Sequence, residues 1–163
     1  MAGESSFDVV SDFDQQELVN ALDQVRREVA TRFDFKGSRV SIELGKGEIV
    51  LTADDEFRAT AVKDLIQSKA VRRGLSLKVF DWGRPVPAAG GAVRQRIGLV
   101  RGLTSDQAKE LAKAVRDRFP KAKPVIQGDS LRVSGKSKDE LQAVIAHLRG
   151  LDYPVALQFI NYR

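Results

Sequence analysis

The sequence predicts an α+β fold made of two consecutive βαββαβ halves. Three observations carry that prediction. Apolar residues recur at period two and at helical spacing in the order strand, helix, strand, strand, helix, strand. The same order returns after a segment rich in proline and glycine. Turn and capping residues stand at the junctions between these patterns.

The first half opens on "SFDVVS", residues 6–11, which reads as a strand. Asp12 or Asp14 is placed to cap the helix that follows, with Gln15 and Glu17 three residues on. Leu18, Leu22, Val25, Val29 and Phe33 mark its apolar face. Val40, Ile42 and Leu44 alternate with Arg39, Ser41 and Glu43, a half-buried strand, and "GKGE" turns the chain into a return strand carrying Ile49 and Leu51. Asp54 is expected to open a second helix with Phe57, Ala61, Leu65 and Ile66 inward. Lys69, Arg72, Arg73 and Gly74 give that helix a basic, glycine-terminated end. Leu75, Leu77 and Val79 alternate again as a fourth strand. Residues 81–92, "DWGRPVPAAGGA", read as a linker.

The second half repeats the order. Val93, Ile97 and Leu99 share one side of a strand whose other side shows Arg94 and Arg96. Thr104 and Gln107 form a capping box before a helix with Leu111, Ala112, Val115 and Phe119 inward, and Pro120 stops it. Val125 and Ile126 start a short strand, and Gly128-Asp129 turns into a strand with Leu131 and Val133 on one face and Ser130, Arg132 and Ser134 on the other. Ser137, with Glu140 three on, caps a helix carrying Leu141, Val144, Ile145 and Leu148, which Gly150 ends. Val155, Leu157 and Phe159 make the last strand. Right-handed crossovers then place both helices of each half on one face of a four-stranded antiparallel sheet, the ferredoxin-like arrangement.

Composition narrows the function. The 163 residues are 42% hydrophobic and 30% charged, within the globular range. No apolar run approaches the ~18 residues that cross a bilayer, so no membrane partner is expected. The first eight residues show neither a basic start nor an apolar segment, so no secretory signal is expected. The absence of cysteine excludes disulfides, thiolate catalysis and cysteine-based zinc sites, and points to the cytoplasm. The net charge is +5. Residues 1–90 hold 13 Lys and Arg against 15 Asp and Glu, and residues 91–163 hold 14 against 7, which suggests a polyanion-facing half.

"GKS", residues 135–137, invites comparison with a phosphate-binding loop. A Walker loop requires a glycine at position 130, where this chain has serine, and residues 130–134 alternate like a strand. Ser137 therefore reads as a helix N-cap, with Lys136 beside helix N–H groups that suit an anion. Catalysis finds little support. His147, the single histidine, flanks an apolar stripe, no metal-ligand spacing occurs, and no cofactor is expected. Asp54, Asp55 and Glu56 suit a helix start, and Asp34 and Lys36 lie in "RFDFKG" between a helix and a strand. Basic groups are the better candidates. Arg39, Lys78, Arg94, Arg96, Arg132 and Lys136 are the candidate phosphate ligands, most of them on the sheet face away from the helices, with Phe80 and Tyr162 as stacking rings. Lys109, Lys113 and Arg116 share a helix face, and Lys121 and Lys123 extend that stripe toward a polyanion.

Six stretches, "SFDVVS", "RFDFKG", "RRG", "VRQ", "IQGDSLRVSGKSKDELQAV" and "LQFINYR", occur in order along the whole chain. Together they resemble the YajQ family of bacterial nucleotide-binding proteins. The resemblance implies two ferredoxin-like lobes that exchange their first strands. Residues 1–11 would join residues 103–163, and residues 93–102 would join residues 12–92. The charge asymmetry then largely vanishes, at +3 for residues 12–102 and +2 for the remainder. It also implies binding of GTP or ATP and, in some members, transfer RNA or cyclic di-GMP. Three readings follow: a non-enzymatic binder of nucleotide or RNA such as tRNA, a cyclic di-GMP effector acting on transcription, and a scaffold for a protein partner.

Overall fold

The computed structural model describes residues 3–32 and 35–163. Phe33 and Asp34, named above in the first helix stripe and in "RFDFKG", lie outside the described residues. The chain divides into two compact units, Phe13–Val100 and Met1–Asp12 with Arg101–Arg163. Each has helices and one antiparallel sheet, an α+β organisation.

In the unit Phe13–Val100 the described elements are helix α1 (Gln15–Thr31), strands β2 (Ser41–Leu44) and β3 (Glu48–Ala53), helix α2 (Glu56–Arg72), and strands β4 (Phe80–Trp82), β5 (Val86–Pro87) and β6 (Val93–Leu99). The sheet order is β2-β3-β6-β4, with β5 also paired to β6. Thus β6, last in this segment, lies inside a sheet whose other strands precede it. Asp14, rather than Asp12, caps α1: its carboxylate accepts the N–H groups of Gln16 and Glu17 at 3.0 and 3.2 Å. Leu18, Leu22 and Val25 of α1 join Val62, Leu65 and Ile66 of α2 over Ile42, Ile49, Leu51 and Ile97 of the sheet. Gly74, at φ +79°, closes α2 in the left-handed conformation that a side chain resists.

Several expectations here are corrected. The second helix is capped by Asp55, which accepts the Arg58 N–H at 2.8 Å, while Asp54 accepts the N–H of Arg39 instead. Leu65 and Ile66 face inward as expected, joined by Ala59, Val62 and Ala70, but Phe57 is turned outward, 79% exposed. Residues 75–79 do not form the fourth strand. Ser76 accepts the Lys78 N–H at 3.2 Å and winds Leu77–Val79 into a 3-10 turn, and the strand is Phe80–Trp82. Residues 81–92 include part of β4 and all of β5, both paired to β6. Between those two strands Gly83 donates its N–H to the Arg96 carbonyl oxygen at 2.9 Å, and a Cβ there would lie 2.6 Å from that same oxygen. Buried Gln95 holds the Gly83 carbonyl oxygen through its side-chain amide at 2.7 Å.

In the unit Met1–Asp12 with Arg101–Arg163 the elements are β1 (Ser5–Val10), α3 (Ser105–Arg118), β7 (Lys123–Gln127), β8 (Ser130–Gly135), α4 (Lys138–Gly150) and β9 (Gln158–Ile160). Their sheet order is β7-β8-β1-β9, so the N-terminal strand is an inner strand among strands from the other end of the chain. Phe7, Val9, Leu131 and Val133 are buried, as are Leu111 and Val115 of α3 and Leu141, Val144 and Leu148 of α4. The capping box of α3 is complete: Thr104 accepts the Gln107 N–H at 3.1 Å and its own N–H reaches the Gln107 side chain at 3.0 Å.

Candidate functional site

Pairing register assembles a lysine-lined cleft in the unit Met1–Asp12 with Arg101–Arg163. Lys123 stands opposite Ser134 in the β7–β8 pair. Ser5 stands opposite Gly135 in the β1–β8 pair. These two registers draw the turn before β7, the residue before β1 and the β8–α4 junction to one end of the sheet. A cavity of about 580 Å³ opens there, lined by Glu4, Pro120, Lys121, Lys123, Lys136, Ser137 and Glu140. The Lys123 ammonium pairs with Glu4 at 3.1 Å, and both side chains remain partly exposed. Lys121 and Lys136 are exposed and make no ion pair among the described residues. Ser137 accepts the Glu140 N–H at 3.1 Å, so α4 begins at the cleft and directs its remaining N-terminal N–H groups and positive dipole end there.

The arrangement suits phosphate. Three ammonium groups at a helix start supply mobile point charges and oriented N–H donors. Its titratable lining is lysine and glutamate, and its one hydroxyl, on Ser137, is engaged by the Glu140 N–H. His147 lies elsewhere on α4, edge-on to Phe119 with ring centres 5.9 Å apart.

The other predicted ligands are dispersed. Arg132 is committed within the sheet: it faces Asp8 across the β1–β8 pair, its Nε and Nη2 donating to the two carboxylate oxygens at 2.9 and 3.3 Å. Asn161 adds a third donor to Asp8 at 2.9 Å. Expected as an open phosphate ligand, Arg132 instead neutralises a buried carboxylate. Arg96 is paired with Glu48 across β6 and β3. Arg94 is exposed on β6 without an ion pair among the described residues, and Arg39 is exposed just before β2. Lys78 sits in the 3-10 turn and not on a strand face. Phe80 is no stacking platform: it is 6% exposed and packs on Trp82 with ring centres 5.5 Å apart. Tyr162 lies parallel to Phe7 at 6.5 Å.

On α3, Lys109, Lys113 and Arg116 are exposed and unpaired among the described residues. Glu110, which interrupts that face, accepts the Tyr153 hydroxyl at 2.8 Å, and burial together with this carboxylate pushes the phenol's pKa up. Lys121 and Lys123, expected to prolong the α3 stripe, are drawn to the cleft with Lys136. A second cavity, about 610 Å³, lies in the unit Phe13–Val100 beside Arg26, Phe35, Lys36 and Ser38. Its Arg26 guanidinium is occupied by Asp23 at 2.8 Å and by the Ile42 carbonyl oxygen, and Lys36 is its exposed cation without an ion pair among the described residues.

The Asp8 cluster makes stability pH-dependent. The Arg132 hydrogen bond, aided by Asn161 and by the charges of Arg132 and Arg163, holds the Asp8 carboxyl below its usual pKa against the opposing effect of burial. A lowered carboxylate pKa stabilises the fold fully above the unfolded value of about 3.9, and that contribution is lost as pH falls through the folded value. Thermal melts of the wild type should therefore fall more steeply below about pH 4 than those of Asp8→Asn. Equal acid slopes would remove Asp8 from this role.

The profile of a protein family described as "Nucleotide-binding protein YajQ-like" matches residues 5–163. This chain belongs to the YajQ family. A "Nucleotide-binding protein" of Chloroflexus aggregans is 58% identical over the full length of both chains. Proteins of the same description from Synechococcus sp. (strain JA-2-3B'a(2-13)) and Trichodesmium erythraeum are 54% and 50% identical, again with complete coverage of both chains. Within this YajQ-family chain Glu4 is the cleft residue that sequence reasoning missed. It lies 119 positions from Lys123, and no local pattern marks it.

Proposed function

We propose that this chain is a non-enzymatic nucleotide-binding protein that takes the phosphates of GTP or ATP in the cleft of Lys121, Lys123 and Lys136. The observation that carries the reading is the convergence of these three lysines on the start of α4 through the β7–β8 and β1–β8 registers. The names of its relatives support it. Cyclic di-GMP ranks second, because the lining offers neither an arginine pair nor a ring on which a purine stacks. The open Lys109, Lys113 and Arg116 face supports an additional, sequence-blind contact with RNA such as tRNA.

The two strand orders support an architecture of two ferredoxin-like lobes with exchanged first strands: residues 1–11 with 103–163, and residues 93–102 with 12–92. No described helix is long and apolar enough to cross a membrane. A chain without cysteine fits the reducing cytoplasm, where we place it.

Calorimetric titration of GTP and ATP at low and high salt tests the reading. Binding is expected at low salt and should weaken as salt screens the lysines. Lys136→Gln should weaken it about fivefold, the size of one exposed charge contact. Absence of binding at low salt, or unchanged affinity in Lys121→Gln/Lys136→Gln, would overturn it.

A further inference from the structure

The cleft lining has a chemical composition that bears on which part of a nucleotide it recognises. A base is identified by a ring or guanidinium plane that stacks on it and by directional donors and acceptors along its edge. The cleft has neither an aromatic ring nor a planar side-chain donor among its described lining: three lysines, two glutamates, one proline and one serine. The nearest aromatic in sequence, Phe119, is turned to His147. The Ser137 hydroxyl is already engaged by the Glu140 N–H, and Glu4 by Lys123. The Glu140 carboxylate remains as an acceptor, yet adenine, guanine and cytosine each present an amino donor, so a single acceptor separates them poorly. Lysine adds no directionality. Its ammonium is a rotatable point charge, where arginine would offer a fixed fork.

We infer that the cleft reads the phosphate chain and not the base, so that its ligand class is an oligophosphate, with nucleoside triphosphates bound irrespective of base. The inference deepens the nucleotide-binding reading and rests on it for the nucleoside part alone. Affinity should follow the number of phosphate charges. The triphosphate binds more tightly than the diphosphate, and the diphosphate more tightly than the monophosphate.

The test is displacement of a fluorescent GTP analogue, labelled on the ribose, by unlabelled GTP, ATP, CTP, UTP, GDP, GMP, guanosine and inorganic tripolyphosphate. Direct calorimetry of tripolyphosphate runs alongside. The four triphosphates are expected within about threefold of one another, since none gains a directional contact. Tripolyphosphate should displace the probe, guanosine should not, and Lys121→Gln/Lys136→Gln should abolish tripolyphosphate binding. Both substitutions lie at exposed positions, so the fold is retained.

A preference above about tenfold for one base, or GMP binding as tightly as GTP, overturns base-blind recognition while leaving nucleotide binding intact. Tripolyphosphate that binds when no nucleotide does would sink the nucleotide reading and keep the oligophosphate site. Failure of tripolyphosphate to bind the wild type overturns the inference outright.

Discussion

Phe7→Ala is expected to destabilise the unit Met1–Asp12 with Arg101–Arg163 by about 3–5 kcal/mol, the usual range for truncating a buried aromatic ring. Phe7 is 1% exposed and lies on β1, between β8 and β9 in the sheet. It faces Val133 across one pairing, and its ring meets Phe159 at 6.1 Å and Tyr162 at 6.5 Å. Truncation therefore leaves a void bordered by β8 and by the C-terminal segment, neither of which can collapse without giving up its own pairing. Against a domain stability of about 5–15 kcal/mol the loss is a large fraction. The fluorophores are conveniently divided. Both tyrosines, Tyr153 and Tyr162, belong to this unit, and the single tryptophan, Trp82, belongs to Phe13–Val100. In urea the tyrosine-detected midpoint should fall by about 2 M, from that free energy and an ordinary m-value. A tyrosine midpoint equal to that of the wild type would show that β1 does not hold the sheet together.

That β1 matters so much was only partly legible in the sequence. Alternation in residues 6–11 reveals a strand, because period-two burial is a local signal. It carries nothing about which sheet receives the strand, because the partner strand β8 lies more than a hundred positions away. The family resemblance implied only that residues 1–11 join residues 103–163, and not which strand they pair with. Local chemistry was read well where it is closed within a few residues, as at Thr104 and Gln107. It failed where two local solutions compete. Leu75, Leu77 and Val79 alternate as a strand should, yet Ser76 captures the Lys78 N–H and a 3-10 turn results. In α2 the expected inward residues Leu65 and Ile66 are buried, but Phe57, in the first turn beside the cap, is outward.

The site divides in the same way. Lys136 was visible because its neighbours form a helix start. Arg132 was correctly placed on the face opposite Leu131 and Val133, but the carboxylate that occupies it is 124 positions away. Lys121 and Lys123 looked like the end of a helix stripe, since helical spacing was the available ruler. The β7–β8 register, a tertiary fact, moves them beside Lys136. Charge was therefore legible as composition, and the cleft was not.

Opposite charge changes in this cleft should move affinity in opposite directions. Its three lysines and two glutamates leave a net charge of +1. Lys136→Glu makes the lining −1 and turns one attractive contact into a repulsive one, so that contact loses twice its usual energy. At about 1 kcal/mol for an exposed pair, the change is about 2 kcal/mol, roughly a thirtyfold loss of nucleotide affinity. Glu4→Gln acts the other way. The Glu4 carboxylate is the resident partner of Lys123, and a phosphate entering the cleft must displace it. Removing that competitor makes the lining +2 and frees an ammonium, so affinity should rise a few-fold, within the 0.2–1 kcal/mol range of such pairs. Both effects should shrink at high salt, since exposed charges are screened within about 10 Å at 0.1 M. Titration of GTP into the two variants and the wild type decides the matter. Affinities that fall in both variants would mean that Glu4 helps to shape the cleft. Affinities unchanged in both would place the phosphates elsewhere on the molecule.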